Sequence, residues 1–370
     1  MPKSELFVAR PNLPEIEELL PLLESIWDSS QLTNNGPLVQ KLSRQLESYF
    51  QTAHVTLCGN GTLALICALK SLKLPVGSEV ITTPYSFVAT ASAIVWAGLK
   101  PVFVDIEEDG FNISASAIAA AVTENTSAIV PVHCYGKPCD VQAIQDIADH
   151  HGLSVIYDAA HAFGVDCDCG SLLSHGDASI VSFHATKVFH TFEGGCVVTK
   201  NTELKEQVDL AINFGFRSET EVDGIGINAK MSEFNAAIGL LQIDRVDDLI
   251  AARKKAHEHY NQALASVACV TLPSDKGYRS NYSYYPVLVS KECKLDRDAL
   301  YNELKSFGVF ARRYFFPLIT DFESYKDFRK GNDLPNAQRA AEQVLCLPIH
   351  PSLDTKDLDR VCSAFTRALL

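Results

Sequence analysis

From His54 to about Lys200 the chain repeats one pattern: a short apolar run, a turn, then a stretch with helical periodicity. The runs are HVTLC, EVITT, PVFVDI, AIVPVH, LSVIYD, ASIVSF and CVVT. Among them lie GTLALICALKSL, FVATASAIVWAG, SASAIAAAV and DVQAIQDIADHHG, each readable as a helix. Runs without polar alternation indicate strands buried on both faces, and a helix in each connection supplies the cover. The expected class is α/β, with a mostly parallel seven-stranded sheet between helical layers.

Upstream, PEIEELLPLLESIWDSS and LVQKLSRQLESYF read as two helices joined by QLTNNGP, with Pro37 suited to the first turn of the second. Beyond Lys200 the pattern changes. TELKEQVDLAINFG reads as a helix and FRSETEVDGIGINAK as a loop. MSEFNAAIGLLQIDRVDDLIAARKKAHEHYNQALA reads as one very long helix or two in series, interrupted at Gly239. The remainder gives a strand in SYYPVLVS, a helix in DRDALYNELKSFG, a strand-like turn into VFARRYFFPL and two closing helices. A chain of 370 residues exceeds one ordinary core. The expected division is a large domain over 1–250, including the N-terminal helices, and a smaller α+β domain over 251–370.

No apolar run approaches the roughly 20 residues of a membrane span. The N-terminus lacks the apolar centre of a signal peptide, so a cytoplasmic protein is expected. A net charge of -13 without a lysine–arginine stripe argues against nucleic acid as a partner. The eleven cysteines are scattered, mostly singly in apolar segments, which points to reduced, buried thiols. Cys167 and Cys169 form a C-x-C beside Asp166 and Asp168, but no second pair complements it; an ordinary turn and no metal are expected there.

Chemistry is expected where the parallel strands end, the edge at which such sheets bind ligands. In CGNGTLAL, free N–H groups at a helix start, with Gly61 and the Thr62 hydroxyl, suit a phosphate. Taken alone, the same turn reads more simply as a strand-to-helix junction capped by Thr62. In TPYSFVAT, Phe87 is placed to lie over a planar ligand, although a lone Phe is ordinarily core. In LSVIYDAAHAFG, Asp158 ends an apolar strand and needs a partner, unless it caps a helix; His161 follows three residues later. In SFHATKVFHTFEGG, Ser182 precedes Lys187 by five residues in a turn unlike the setting of a surface lysine. A phosphate cradle, a stacking ring, a carboxylate and an amine together match the needs of pyridoxal 5'-phosphate: a lysine for the Schiff base and a carboxylate for the pyridine nitrogen.

These stretches, with EVITTPYSFVATASAIVWAGLKPVFVDI, AIVPVHCYGKPCD, GINAKMSEFNAAIGLLQ, ARRYFFPL and LCLPIHPSL, resemble the DegT/StrS-type nucleotide-sugar aminotransferases over nearly the whole chain. The resemblance implies the aspartate-aminotransferase (type I) fold and pyridoxal phosphate as cofactor. It makes Lys187 the Schiff-base lysine and Asp158 the partner of the pyridine nitrogen, with His161 beside the ring oxygen where many members carry glutamine. Ser182, Gly61 and Thr62 would hold the phosphate and Phe87 would stack on the ring. Lys230, with Asn228 as the weaker candidate, would reach the phosphate of the neighbouring subunit, implying a homodimer with shared active sites. Lys230 stands where the family usually has arginine or asparagine; relative to arginine it keeps the charge but loses the bidentate fork.

Within the family, HATKVFHTFEGG and TNNGP look most like members that aminate dTDP-4-keto-6-deoxyglucose to dTDP-4-amino-4,6-dideoxyglucose, with L-glutamate as donor. The alternatives are another nucleotide-linked 3- or 4-keto sugar, UDP- or dTDP-linked, and a non-catalytic pyridoxal-phosphate-binding regulator. Lys187 argues against the related dehydratases, which carry histidine there. The lack of G-x-G-x-x-G after the first strand argues against a nicotinamide dehydrogenase. Arg312, Arg313 and Tyr314 are candidates for a diphosphate or, equally, for an interdomain ion-pair cluster.

Overall fold

All seven apolar runs are strands of one sheet in the computed structural model, which describes residues 5–168, 170–275, 277–329 and 333–369. In chain order they are β1 (His54–Cys58), β2 (Glu79–Thr82), β3 (Lys100–Phe103), β4 (Thr126–Val130), β5 (Ser154–Asp158), β6 (Ala178–Ser182) and β7 (Gly195–Thr199). Their spatial order is β1-β7-β6-β5-β4-β2-β3. The pairings are parallel except those of β7, which runs antiparallel to β1 and β6.

Successive strand residues go to opposite faces. Val80, Ala128, Ile156, Ile180 and Val197 pack in one cluster with residues of α3 (Gly61–Ser71), α4 (Ala89–Trp96) and α7 (Thr202–Ala211). On the other face, Ile81, Ile129 and Val155 pack with α5 (Ala115–Ala121) and α6 (Val141–His151). There too Val55, Leu57, Val181 and Val198 meet α1 (Ile16–Ser29), α2 (Pro37–Phe50) and α8 (Glu233–Ile243). Burial on both faces is why the strands carry no polar alternation.

Pro37 stands at the start of α2 as expected. Just before it, Asn34 and Asn35 adopt positive φ, and a Cβ on Gly36 would lie 2.6 Å from the Glu233 carboxyl carbon. Glu233, buried in the first turn of α8, accepts the N–H groups of Leu38 and Val39 at 2.8 and 2.9 Å. The long helical stretch is two helices, α8 and α9 (Val246–Leu264), and the break falls at Asp244–Arg245, not at Gly239. Gly239 lies inside α8, where a Cβ would meet Leu42 Cδ2 at 2.6 Å; its absence lets α8 approach α2.

Core membership changes along α9: Val246 and Ile250 pack with the first core, Ala256, Tyr260 and Leu264 with the second. The second core is built on β8 (Tyr285–Val289), α10 (Arg297–Ser306), β9 (Val344–Leu347) and α12 (Thr355–Leu369). Leu6 joins it through parallel pairing of Leu6–Phe7 with Val309–Phe310. Strand β9 lies between α11 (Pro335–Gln343) and α12 and was not anticipated, because four apolar residues carry no period.

Among the described residues seven cysteines are free and buried, but the expectation of reduced thiols fails at Cys167, Cys269 and Cys293, of which the last two are joined to each other. Val270 pairs with Val289, and that antiparallel register brings the flanking segments together, with Cα atoms 5.3 Å apart at the bridge. Of the C-x-C, Cys167 is disulfide-bonded and Cys169 lies outside the described residues. Among the described residues no helix is long and apolar enough to cross a membrane.

Candidate active site

The four strand-end stretches converge on one cavity of about 610 Å³, lined by Gly61, Thr62, Phe87, Asp158, His161, Ser182 and Lys187. Helix α3 starts directly after β1, and its cap is Asn60, whose Oδ1 accepts the Leu63 N–H at 2.9 Å. Thr62 is therefore not the cap; it lies on the cavity wall. A Cβ on Gly61 would be 3.0 Å from Ser182 Cβ, and one on Gly195 would be 2.7 Å from Gly61 N. Those glycines let the first turn of α3 press against the ends of β6 and β7. Two hydroxyls beside a helix N-terminus are suited to a phosphate dianion.

Asp158 ends β5 and is buried. Its Oδ2 accepts the Thr90 hydroxyl at 2.7 Å and its Oδ1 the Ala160 N–H at 3.2 Å. Burial raises its pKa, while those two hydrogen bonds and the Lys187 charge oppose the shift. The chain after it is turn, not helix, so the N-cap alternative does not hold. His161 Nδ1 accepts the Tyr135 N–H at 3.1 Å, and its ring lies parallel to Phe315 at 6.0 Å. Burial, then the Lys187 charge, pushes its pKa well down. The imidazole is thus neutral, with its proton on Nε2 available as a donor.

Lys187 is half-buried, and its Nζ donates to the Tyr284 hydroxyl at 3.3 Å. Burial lowers the amine pKa to about 8, with the Asp158 charge acting upward. Phe87 is 61% exposed on the cavity wall, so it is not the core residue a lone Phe ordinarily is. An apolar ring face, a carboxylate, a neutral imidazole donor, an amine of lowered pKa and a hydroxyl-lined helix start fit a planar, phosphorylated pyridine aldehyde.

Lys230 and Asn228 are not in this cavity. Lys230 pairs with Cys58 through its backbone, and its Nζ donates to Asn213 Oδ1 at 3.0 Å, 5.0 Å over the Phe214 ring. It lines a separate cleft of about 620 Å³ with Lys205 and Arg217, and Asn228 pairs with Asn213. Arg313 is held by Asp298 at 2.8 Å, the ion-pair reading of ARRY, although both residues come from the C-terminal part. Tyr314 lines the cavity, and its carbonyl accepts the Tyr135 hydroxyl. Sequence reasoning missed Thr90, Tyr284 and Phe315, whose places depend on contacts between distant segments.

Residues 14–366 match the model of the DegT/DnrJ/EryC1/StrS aminotransferase family. The chain is 50% identical over 362 residues to a dTDP-4-amino-4,6-dideoxy-D-glucose transaminase of Shigella dysenteriae, covering 98% of each chain. It is 44% identical over 351 residues to the transaminase of the same name from Escherichia coli, covering 94% of each. Among solved structures, DesI in the presence of its TDP-sugar product matches with a TM-score of 0.94 at 36% identity, over 99% of this chain and 94% of that one. Helicobacter pylori PseC, an aminotransferase involved in pseudoaminic acid biosynthesis, matches at 0.92 and 28%, over 99% of each. With its type I fold and an amine and carboxylate on one cavity, the chain belongs to the DegT/DnrJ/EryC1/StrS family of aminotransferases.

Proposed function

We propose that the chain is a pyridoxal-phosphate-dependent aminotransferase that converts dTDP-4-keto-6-deoxy-D-glucose to dTDP-4-amino-4,6-dideoxy-D-glucose with L-glutamate as donor. The observation that carries the chemistry is the Lys187 amine sharing one cavity with the buried Asp158 carboxylate. The two relatives at 50% and 44% identity, both named for that amino sugar, support the substrate. The cofactor, when bound, supplies an electron sink that stabilises negative charge on the carbon losing a proton.

The chain's residues do the rest. Asp158, its carboxylate oriented by Thr90, would keep the pyridine nitrogen protonated, and His161 would donate from Nε2 to the ring oxygen. Gly61, Thr62 and Ser182 would hold the phosphate, and Phe87 would cover one ring face. Lys187 would hold the cofactor covalently through its amine until the donor's amino group displaces it. The freed Nζ would then take the proton from the donor's α-carbon and, with the acceptor bound, return one to the carbon that gains nitrogen, with its lowered pKa favouring the free amine.

We also infer a homodimer in which Lys230 serves the partner's site. Near Lys230, Phe214, Phe216, Val222 and Ile225 are 45–93% exposed, an apolar surface suited to burial against a second copy. The test is incubation with L-glutamate and a panel of dTDP- and UDP-linked 3- and 4-keto sugars, with mass and NMR analysis of the products. Amination of dTDP-4-keto-6-deoxyglucose at C4 is expected. Preference for another sugar would overturn the substrate, and amination of none would favour the regulatory reading.

A further inference from the structure

Tyr284 lines the cavity with Asp158 and His161 and touches the Lys187 amine. It stands one residue before β8, a strand of the second core, whereas Asp158 ends, and Lys187 and His161 follow, strands of the seven-stranded sheet. Its hydroxyl accepts from Lys187 Nζ at 3.3 Å. The ring is fixed by three others: His161 at 4.8 Å, Tyr135 at 5.4 Å and Tyr314 at 5.9 Å between centroids. Burial, reinforced by Tyr314, Cys346 and Cys134 and opposed by Arg253, holds the phenol protonated far above neutral pH. Arg253 of α9 is buried and donates from Nη1 to the Ile349 carbonyl at 2.9 Å. The charged and titratable groups facing the cavity with the amine are thus Asp158 and His161 at the strand ends, His184 and Glu193 from the segment that carries Lys187 itself, and Tyr284 and Tyr314 from the C-terminal part, with Arg253 behind Tyr284.

We propose that Tyr284 is the positioning acceptor of the Lys187 amine: its hydroxyl holds Nζ at one point of the cavity wall whenever the amine is free, ready to take and return the transferred proton. This rests on the reading of Lys187 as the proton-moving amine. The proton passes from carbon to Nζ and back to carbon; Tyr284 neither gains nor loses one. Because the ring is wedged among His161, Tyr135 and Tyr314, its oxygen is a fixed point, and a fixed acceptor limits the rotamers open to a long lysine. The segment leading into β8 thereby sets the aim of a base delivered by the seven-stranded sheet.

The variant Y284F removes one oxygen and keeps the packed ring. Its kcat is expected to fall about tenfold, the worth of one hydrogen bond, with KM for donor and keto sugar changed by less than about threefold. In cofactor-free protein, the pH midpoint for acylation of Lys187, read by peptide mass spectrometry, is expected to move down, since the oxygen that stabilises the ammonium form is gone. Borohydride reduction of loaded wild type and Y284F, followed by peptide mapping, identifies the lysine bonded to the cofactor. With the label on Lys187, an unchanged kcat and midpoint, or a rise in KM alone, overturns the role of Tyr284. A label on another lysine overturns the reading of Lys187 itself.

Discussion

Asp158 and Lys187 make opposite demands on the same cavity. Burial drives each toward its neutral form, raising the carboxyl pKa and lowering the amine to about 8. The carboxylate has two hydrogen-bond donors to support its charge, Thr90 and Ala160, whereas the amine has a neutral phenol. That asymmetry suits a charged Asp158 and a Lys187 able to exchange protons near neutral pH. Asp158→Asn is expected to retain cofactor, followed by its absorbance, while kcat drops about a hundredfold or more, as for loss of a positioned charged group. Near-wild-type kcat would defeat the role given to Asp158. Lys187 and Asp158 were legible in the sequence because each is a charged residue at or just past the end of an apolar strand. Their partners were not, since Tyr284 lies 97 residues from Lys187 and Thr90 lies 68 from Asp158.

Single elements are fixed by polar groups at their ends. Asn60 caps α3 and so leaves Thr62 facing the cavity, while Glu233 caps α2 from a different helix. An Asn–Gly–Thr turn offers two capping side chains, and which one caps depends on backbone angles the sequence does not carry. The Glu233 contact spans 195 residues and was equally hidden, although TNNGP marked where it acts. Glu233→Ala leaves two buried N–H groups without acceptors and is expected to cost about 1–3 kcal/mol, seen as a lower midpoint in urea unfolding. Glu233→Gln, which keeps one acceptor oxygen, is expected to fall between. An unchanged midpoint in the alanine variant would mean that water replaces both bonds.

On the scale of the whole molecule, the expected phosphate-site lysine lies outside its own chain's cavity. A shared-site dimer predicts complementation. Lys187→Ala and Lys230→Ala are each expected to lose most activity alone. After unfolding and refolding together, mixed dimers hold one site with both lysines intact, and activity is expected to return to up to about a quarter of wild type under random pairing. No recovery, with mixed dimers shown by native mass spectrometry, would place Lys230 outside the partner's site.

The sheet, its helical cover and the cavity residues at the strand ends followed from local patterns: runs without alternation, glycine turns, and charged residues closing apolar strands. Those signals are local because burial and backbone geometry act over a few residues. Two further features arise from contacts across long stretches of chain: the strand β9, which pairs with β8, and the meeting of Tyr284 with Lys187. A packed interior brings those segments within hydrogen-bond distance, and no period in the sequence records which side chains will face each other there.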